Sequence, residues 1–309
     1  MISSSEANSF NVTWNISAYL EGDVTNVPLE VNSVITIIIN SITCPFTVLL
    51  NVLVIMAVKR RPRLQRNANI LLACLAATDA LTGLIVQPSF ILQQISHLLG
   101  MANHETFHLF HKSSLRTMSV CSCLHLTLVT CERLIAIKFT MHYPKIVNKK
   151  RVMVVVISCW ISAISFEVFR TIYETSSKIH FLFLALFLIS CILFIASSYV
   201  VLYLETLRHK KIIKTQQLPH EDVERFVKED KALKTTVYVV GAIVLCFLPA
   251  VFFLLRTVSG VPNPSSVGSW MRTFAMFNSL LNPLIYCWRQ KEIRKFVFRI
   301  STQAVHPSD

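Results

Sequence analysis

The sequence predicts an all-α membrane protein: a seven-transmembrane helix bundle followed by a short amphipathic eighth helix. Three observations predict it. The 309 residues are 53% hydrophobic and only 15% charged, with a mean hydropathy of +0.54, whereas an ordinary soluble domain carries about 25% charge. Seven stretches are apolar over the roughly 20 residues that a bilayer crossing requires. The basic residues cluster in alternate connections between those stretches, as short loops on one side of a membrane do. This composition excludes a disordered chain, a disulfide-knotted secreted domain and a collagen or coiled-coil rod.

The predicted spans run approximately from Asn32 to Val58, Asn67 to Ser96, Phe107 to Phe139, Val152 to Phe169, Ile179 to Leu204, Ala232 to Val258 and Val267 to Trp288. The second, third, fifth and sixth carry polar residues, which a helix inside a bundle tolerates and a lipid-facing one does not. Residues 1–31 precede the bundle as an extracellular tail, and residues 32–288 form it. Residues 289–300 read as an amphipathic helix on the membrane surface, with Ile293, Phe296, Val297 and Ile300 at helical spacing. Residues 301–309 are left as a cytoplasmic tail.

The net charge of +13 comes from 30 Lys and Arg against 17 Asp and Glu. Its placement assigns it to topology rather than to nucleic acid, which is not an expected partner. Bases gather at Lys59 to Arg66, Lys145 to Arg151, Arg208 to Lys234 and Arg289 to Arg299, all on one face, which is therefore the cytoplasmic one. There they also meet lipid headgroups, so membrane lipids are partners. The first 31 residues contain no Lys or Arg, placing the N terminus outside. Asn11 and Asn15 open two N-glycosylation sequons in that segment. No cleavable signal peptide is visible, so the first span is expected to act as its own anchor. The nine cysteines lie within spans or at their cytoplasmic ends and are expected to be free thiols acting as small hydrophobes.

Ionisable and amide groups inside spans are functional candidates, because they are costly there unless satisfied. The second span holds Asp79. The third holds Ser122 and ends in Glu132-Arg133-Leu134. The first holds Asn51, and the last holds Asn278, Ser279 and Asn282 before Pro283 and Tyr286. Two readings of Asp79 are open: an ion site, or a protonated acid bonded to Asn282.

These residues carry a resemblance over nearly the whole chain. Asn51, Leu75-Ala76-Ala77-Thr78-Asp79, Glu132-Arg133-Leu134, Trp160, Tyr199, Cys246-Phe247-Leu248-Pro249 and Asn282-Pro283-Leu284-Ile285-Tyr286 occur in order, each in its own span. The set resembles the rhodopsin-like (class A) family of G-protein-coupled receptors. The resemblance implies a plasma-membrane receptor, not an enzyme, that binds an extracellular ligand and activates a heterotrimeric G protein. It needs no cofactor, with sodium as an allosteric ion at Asp79, Ser122, Asn278, Ser279 and Asn282. It also implies that Glu132 and Glu229 hold Arg133 until the sixth helix swings outward at the Pro249 kink. Tyr199 and Tyr286 then turn toward Arg133, and the opened crevice accepts a G-protein helix.

Departures narrow the placement. The cysteine expected at the top of the third span is His108, and the short loop from Arg170 to Lys178 has none. Cys191 replaces the span-five proline, Phe247 the span-six tryptophan and Leu134 the tyrosine after Arg133. Together these resemble the melanocortin, cannabinoid and lysophospholipid branch. Amine receptors of the family use an aspartate where Leu115 stands, and visual pigments a lysine where Met276 stands, so neither ligand is expected. The expected pocket residues are Lys112, Leu115, Arg116, Ser119, Glu167, Phe247, Ala250, Val251, Leu254, Arg272 and Met276. Their basic and apolar character suits an anionic or lipid-like small molecule or a peptide, with Glu167 as a neutralising partner for Arg116. The alternative is a multi-span transporter, which would show paired halves that this sequence lacks. An intramembrane aspartyl protease needs a second acid opposite Asp79, and none is present.

Overall fold

The computed structural model describes residues 4–61, 67–139, 142–172, 177–215, 241, 244–261, 265–289 and 292–297, with side chains from residue 30 onward except at 177, 209–215, 265 and 289. The chain is a seven-transmembrane helix bundle. Its helices are α1 (Ser4–Arg60), α2 (Asn67–Leu98), α3 (His104–Lys138), α4 (Lys149–Ile172), α5 (Ser177–Thr215), α6 (Val244–Val258) and α7 (Ser265–Arg289). Segments of α1 to α5 are long and apolar enough to cross a membrane. The 25 residues of α7 give about 37 Å at 1.5 Å per residue, enough to cross roughly 30 Å of hydrocarbon. The predicted sixth span begins at residue 232, and residues 232–240 lie outside the described ones. Of the segment expected on the membrane surface, residues 292–297 are helical, with Ile293 and Phe296 buried against the bundle core.

The helices are apolar outside and polar inside, the reverse of a soluble bundle. Ile42, Phe46 and Leu49 on α1, Val154, Ile157 and Ile161 on α4, and Leu193 and Val200 on α5 are exposed. Asn51, Asp79, His125 and Asn282 are fully buried. α3 runs through the middle, packed against α2, α4 and α5, while α1 packs against α2 and α7. Leu75, Cys121, Leu126, Ile195, Phe247 and Tyr286 join these helices into one core. All nine cysteines are free.

Three local features set helix shape. First, α2 contains a π turn over Thr82–Val86 immediately before Pro88, with Gln87 donating its N–H to the Thr82 carbonyl. Pro88 has no N–H to give, and the Cys44 thiol of α1 donates to the Gly83 carbonyl at 3.2 Å. Gly83 is also where α1 comes closest: a Cβ there would sit 2.8 Å from Val48. Second, Pro283 deprives the Ser279 carbonyl of its helical donor. The amide of Asn51 supplies the missing bond at 2.9 Å, tying α1 to α7 at that kink. Third, α2 and α6 stop at Gly100 and Gly260, whose φ values of 59° and 75° are left-handed. In each, the next residue donates five positions back, Met101 to Ser96 at 2.9 Å and Val261 to Arg256 at 3.0 Å, the closing bond of a Schellman cap.

Candidate functional site

Three polar regions lie along the bundle axis. The deepest centres on Asp79, whose Oδ2 accepts a 2.8 Å hydrogen bond from the Asn282 amide and so joins α2 to α7. The Ser122 and Ser279 hydroxyls lie beside the same carboxylate. Asp79 Oδ1, Ser122 Oγ, Asn278 Oδ1 and Asn282 Oδ1 are buried and have no hydrogen-bond partner among the described residues. One carboxylate, one hydroxyl and two amide oxygens left unpaired in low dielectric are costly as they stand. They are the donor set a hard monovalent cation accepts, so these residues fit sodium.

The second region is the end of the bundle that carries the basic connections. Glu132 is 5% exposed, and its Oε2 stands 3.6 Å from the Arg133 Nε, an ion pair without hydrogen-bond geometry. Its other oxygen accepts from the Tyr143 phenol at 2.5 Å. Tyr143 belongs to the short helix Tyr143–Ile146 in the loop between α3 and α4. Burial and the adjacent Glu132 push its phenol pKa well above the ordinary value, so it remains a donor. The loop is fixed on both sides: Asn67 donates to the Val147 carbonyl at 2.8 Å, and Asn148 caps α4 by accepting from the Arg151 N–H at 2.9 Å. Tyr199 and Tyr286 are both buried. Glu229 lies outside the described residues.

The third region is a cavity of about 710 Å³ at the opposite end. Lys112, Leu115, Arg116, Ser119, Phe247, Ala250, Leu254 and Arg272 line it. Glu167, Val251 and Met276, expected in the pocket, are not in its wall. Val251 is buried in the main core, and Met276 packs with Val86 and Phe90. Glu167 is turned toward arginines: its Oε2 accepts from Arg116 Nε at 3.0 Å, and its Oε1 from Arg116 at 2.6 Å, Arg170 at 2.9 Å and the Ser113 hydroxyl at 2.7 Å. That triad clamps α3 to α4 and neutralises part of the local positive charge.

Residues that sequence reasoning missed complete the mouth. His97, His104 and His108 line it, with ring centroids 5.5 Å apart for the first pair and 6.3 Å for the second. His104 and His108 are one turn apart on α3, the only sequence signal for the cluster. Gln93 and Gln94 also face the cavity, the latter donating to Ser269 at 3.2 Å. Arg272 donates to Ser269 at 3.2 Å and lies 5.5 Å from the centroid of the Phe90 ring, a cation–π contact. Among the described residues the cavity wall contains no aspartate or glutamate.

Residues 50–286 match the family described as 7 transmembrane receptor (rhodopsin family). Trace amine-associated receptor 13c of Danio rerio is 28% identical over 270 residues, covering 78% of this chain and 77% of that one. Trace amine-associated receptor 2 of Rattus norvegicus is 26% identical over 267 residues, covering 78% and 76%. The histamine H2 receptor of Homo sapiens is 24% identical over 270 residues, covering 80% and 74%.

Proposed function

The chain belongs to the rhodopsin family of seven-transmembrane receptors, and from that premise we propose how its own residues receive a ligand and pass the signal on. It is a multi-pass G-protein-coupled receptor of the plasma membrane, not an enzyme. In our reading the basic end of the bundle is cytoplasmic and the N terminus, with the sequons at Asn11 and Asn15, is outside. The cavity between α3, α5, α6 and α7 is then open to the extracellular side and takes the agonist.

We infer the chemical class of the agonist from charge. The relatives above are named for trace amines and histamine. A protonated amine needs a carboxylate in a desolvated pocket. Here the wall is acid-free among the described residues, Leu115 stands where amine receptors have aspartate, and Lys112 and Arg272 are present. An anionic or lipid-like molecule, or an acidic peptide, fits this wall better than an amine.

Signal transfer runs from Phe247 in the cavity floor down α6 to the cytoplasmic end. Pro249 cannot donate to the carbonyl four residues earlier, so α6 is weakened at the level of the ligand. The restraint at the far end is small. Glu132 is buried, but its Oε2 stands 3.6 Å from the Arg133 Nε without a hydrogen bond, so the pair is a loose restraint. A ligand that binds the open arrangement only modestly better is enough to shift the balance. Glu229 is proposed as a second acid on Arg133, and Tyr199 and Tyr286 as groups that replace the acids once α6 has moved. Asp79, Ser122, Asn278, Ser279 and Asn282 would hold sodium, whose charge compensates the buried carboxylate and favours the resting packing.

The observation that carries this reading is the alignment of a ligand-sized cavity, a buried polar cluster with unpaired oxygens and an acid-held Arg133 along one bundle. The test is nucleotide exchange on a G-protein heterotrimer by the reconstituted receptor, compared with Arg133→Ala. Exchange above the G protein's own rate, lost in the variant at equal receptor content, supports the proposal. Undiminished exchange by Arg133→Ala contradicts it.

A further inference from the structure

The three cations in the cavity wall are not equivalent. Arg116 is paired: both Glu167 oxygens accept from it, and the Ser113 hydroxyl takes a third contact at 3.2 Å. Lys112, one turn nearer the mouth, has no hydrogen bond or ion pair among the described residues, and it lies within electrostatic range of both Arg272 and Arg116. Arg272 has one bond, to Ser269, and its Nε is buried with no acceptor among the described residues. Among the described residues the acid within electrostatic range of Lys112 is Glu105, which is 72% exposed and sits against His104 and His108 at the rim. Lys112 and Arg272 therefore share a half-buried site in which, among the described residues, neither forms an ion pair, an arrangement that an anion relieves.

Below them the wall changes character. From Lys112 to Ser119 α3 descends roughly 10 Å, and over that depth the cavity is bounded mainly by Leu115, Leu188, Leu254 and Phe247, with Arg116 and Ser119 as the polar groups of α3. Phe247 closes the floor and is 2% exposed. Polarity thus falls from a cationic, histidine-rimmed mouth to an apolar base. The volume of about 710 Å³ is that of a site for one small ligand.

We propose that the cavity takes a single-chain amphiphile with an anionic head, a carboxylate or a phosphate monoester. Lys112 and Arg272 hold the head and the tail lies along α3 and α6 down to Phe247. The proposal rests on the cavity being the receptor's ligand site. It assigns anion recognition to these two residues and not to Arg116, which Glu167 already pairs within the bundle.

The experiment uses the full-length receptor, purified and reconstituted, with dodecanoate, dodecyl phosphate, dodecylamine, dodecanol and butyrate as probes. Binding is read by displacement of a fluorescent dodecanoate analogue. Dodecanoate or dodecyl phosphate should displace it, and comparison of the two separates carboxylate from phosphate recognition. Dodecylamine, dodecanol and butyrate should be weaker by about tenfold or more, the loss of one charge-assisted contact or of the buried tail. Lys112→Gln and Arg272→Gln should each lose about tenfold for the anionic probes, while Lys112→Arg retains binding and shows that the fold survives. Equal binding of dodecylamine and dodecanoate, or unchanged binding in both glutamine variants, overturns the assignment. Basal nucleotide exchange in the same preparations separates the two claims: if exchange persists while the anionic probes fail, the head-group assignment falls and the receptor reading stands.

Discussion

Glu167→Gln is the most informative single substitution, because one carboxylate serves two guanidinium groups inside the bundle. Glu167 and Arg116 are 11% and 13% exposed, and Arg170 is 26% exposed. Removing the charge while keeping the shape leaves Arg116 buried without its counterion. Breaking a buried pair on one side costs about 3–5 kcal/mol. Arg170 turns outward to water more easily than Arg116, so most of the loss belongs to the Arg116 contact, and roughly 3 kcal/mol is expected. A loss of that size lowers the unfolding temperature by several degrees. Thermal unfolding of the purified receptor can be followed with a thiol-reactive dye, since Cys121 and Cys123 are buried in the folded bundle. The double variant Arg116→Met with Glu167→Met, which removes both charges, should recover much of the loss. A Glu167→Gln protein within about 0.5 kcal/mol of the parent would refute the view that this triad clamps α3 to α4. So would a double variant whose loss equals the sum of the two single ones.

Two further outcomes are expected. Tyr143→Phe removes the phenol that holds Glu132 and should raise ligand-free nucleotide exchange by up to the effect of a single hydrogen bond to a charged group, roughly 1.5–3 kcal/mol or about tenfold and more; unaltered basal exchange at normal surface expression counts against a restraining role for the loop. Asp79→Asn should abolish the sodium dependence of agonist affinity in membranes, whereas a variant as sodium-sensitive as the parent removes the ion from the Asp79 cluster.

Much of the architecture is legible in the sequence because the bilayer enforces it. Apolar stretches of fixed length must be helices, and acids or amides inside them must face inward. Asp79 and Asn282 were readable as a pair for that reason. The departures from regular helix were harder to see. Pro88 and Gly83 are visible letters, but their consequence, a π turn rescued by the Cys44 thiol, depends on α1 passing within contact of Gly83. The Asn51 bond to the Ser279 carbonyl depends likewise on where Pro283 leaves an acceptor free. Glu167 was legible as a partner for Arg116 but not as one turned wholly away from the cavity, because the second arginine, Arg170, recruits it from the same helix face. Tyr143 escaped notice because a loop residue's partner is set by tertiary placement, not by period. The histidine rim was missed because only His104 and His108 share a helix, while His97 arrives from the end of α2.

The central claim is that α6 moves away from α3 when the receptor engages its G protein. Double electron–electron resonance between labels at Lys138, the last residue of α3, and Gly241, within the predicted sixth span on the cytoplasmic side of Pro249, measures it directly. Among the described residues a side chain at Gly241 meets nothing within 4 Å, and labels carried by non-natural amino acids avoid the nine native thiols. The distance should lengthen when nucleotide-free G protein binds, and Arg133→Ala should suppress the change. An unchanged distance distribution in a complex that still exchanges nucleotide would contradict it.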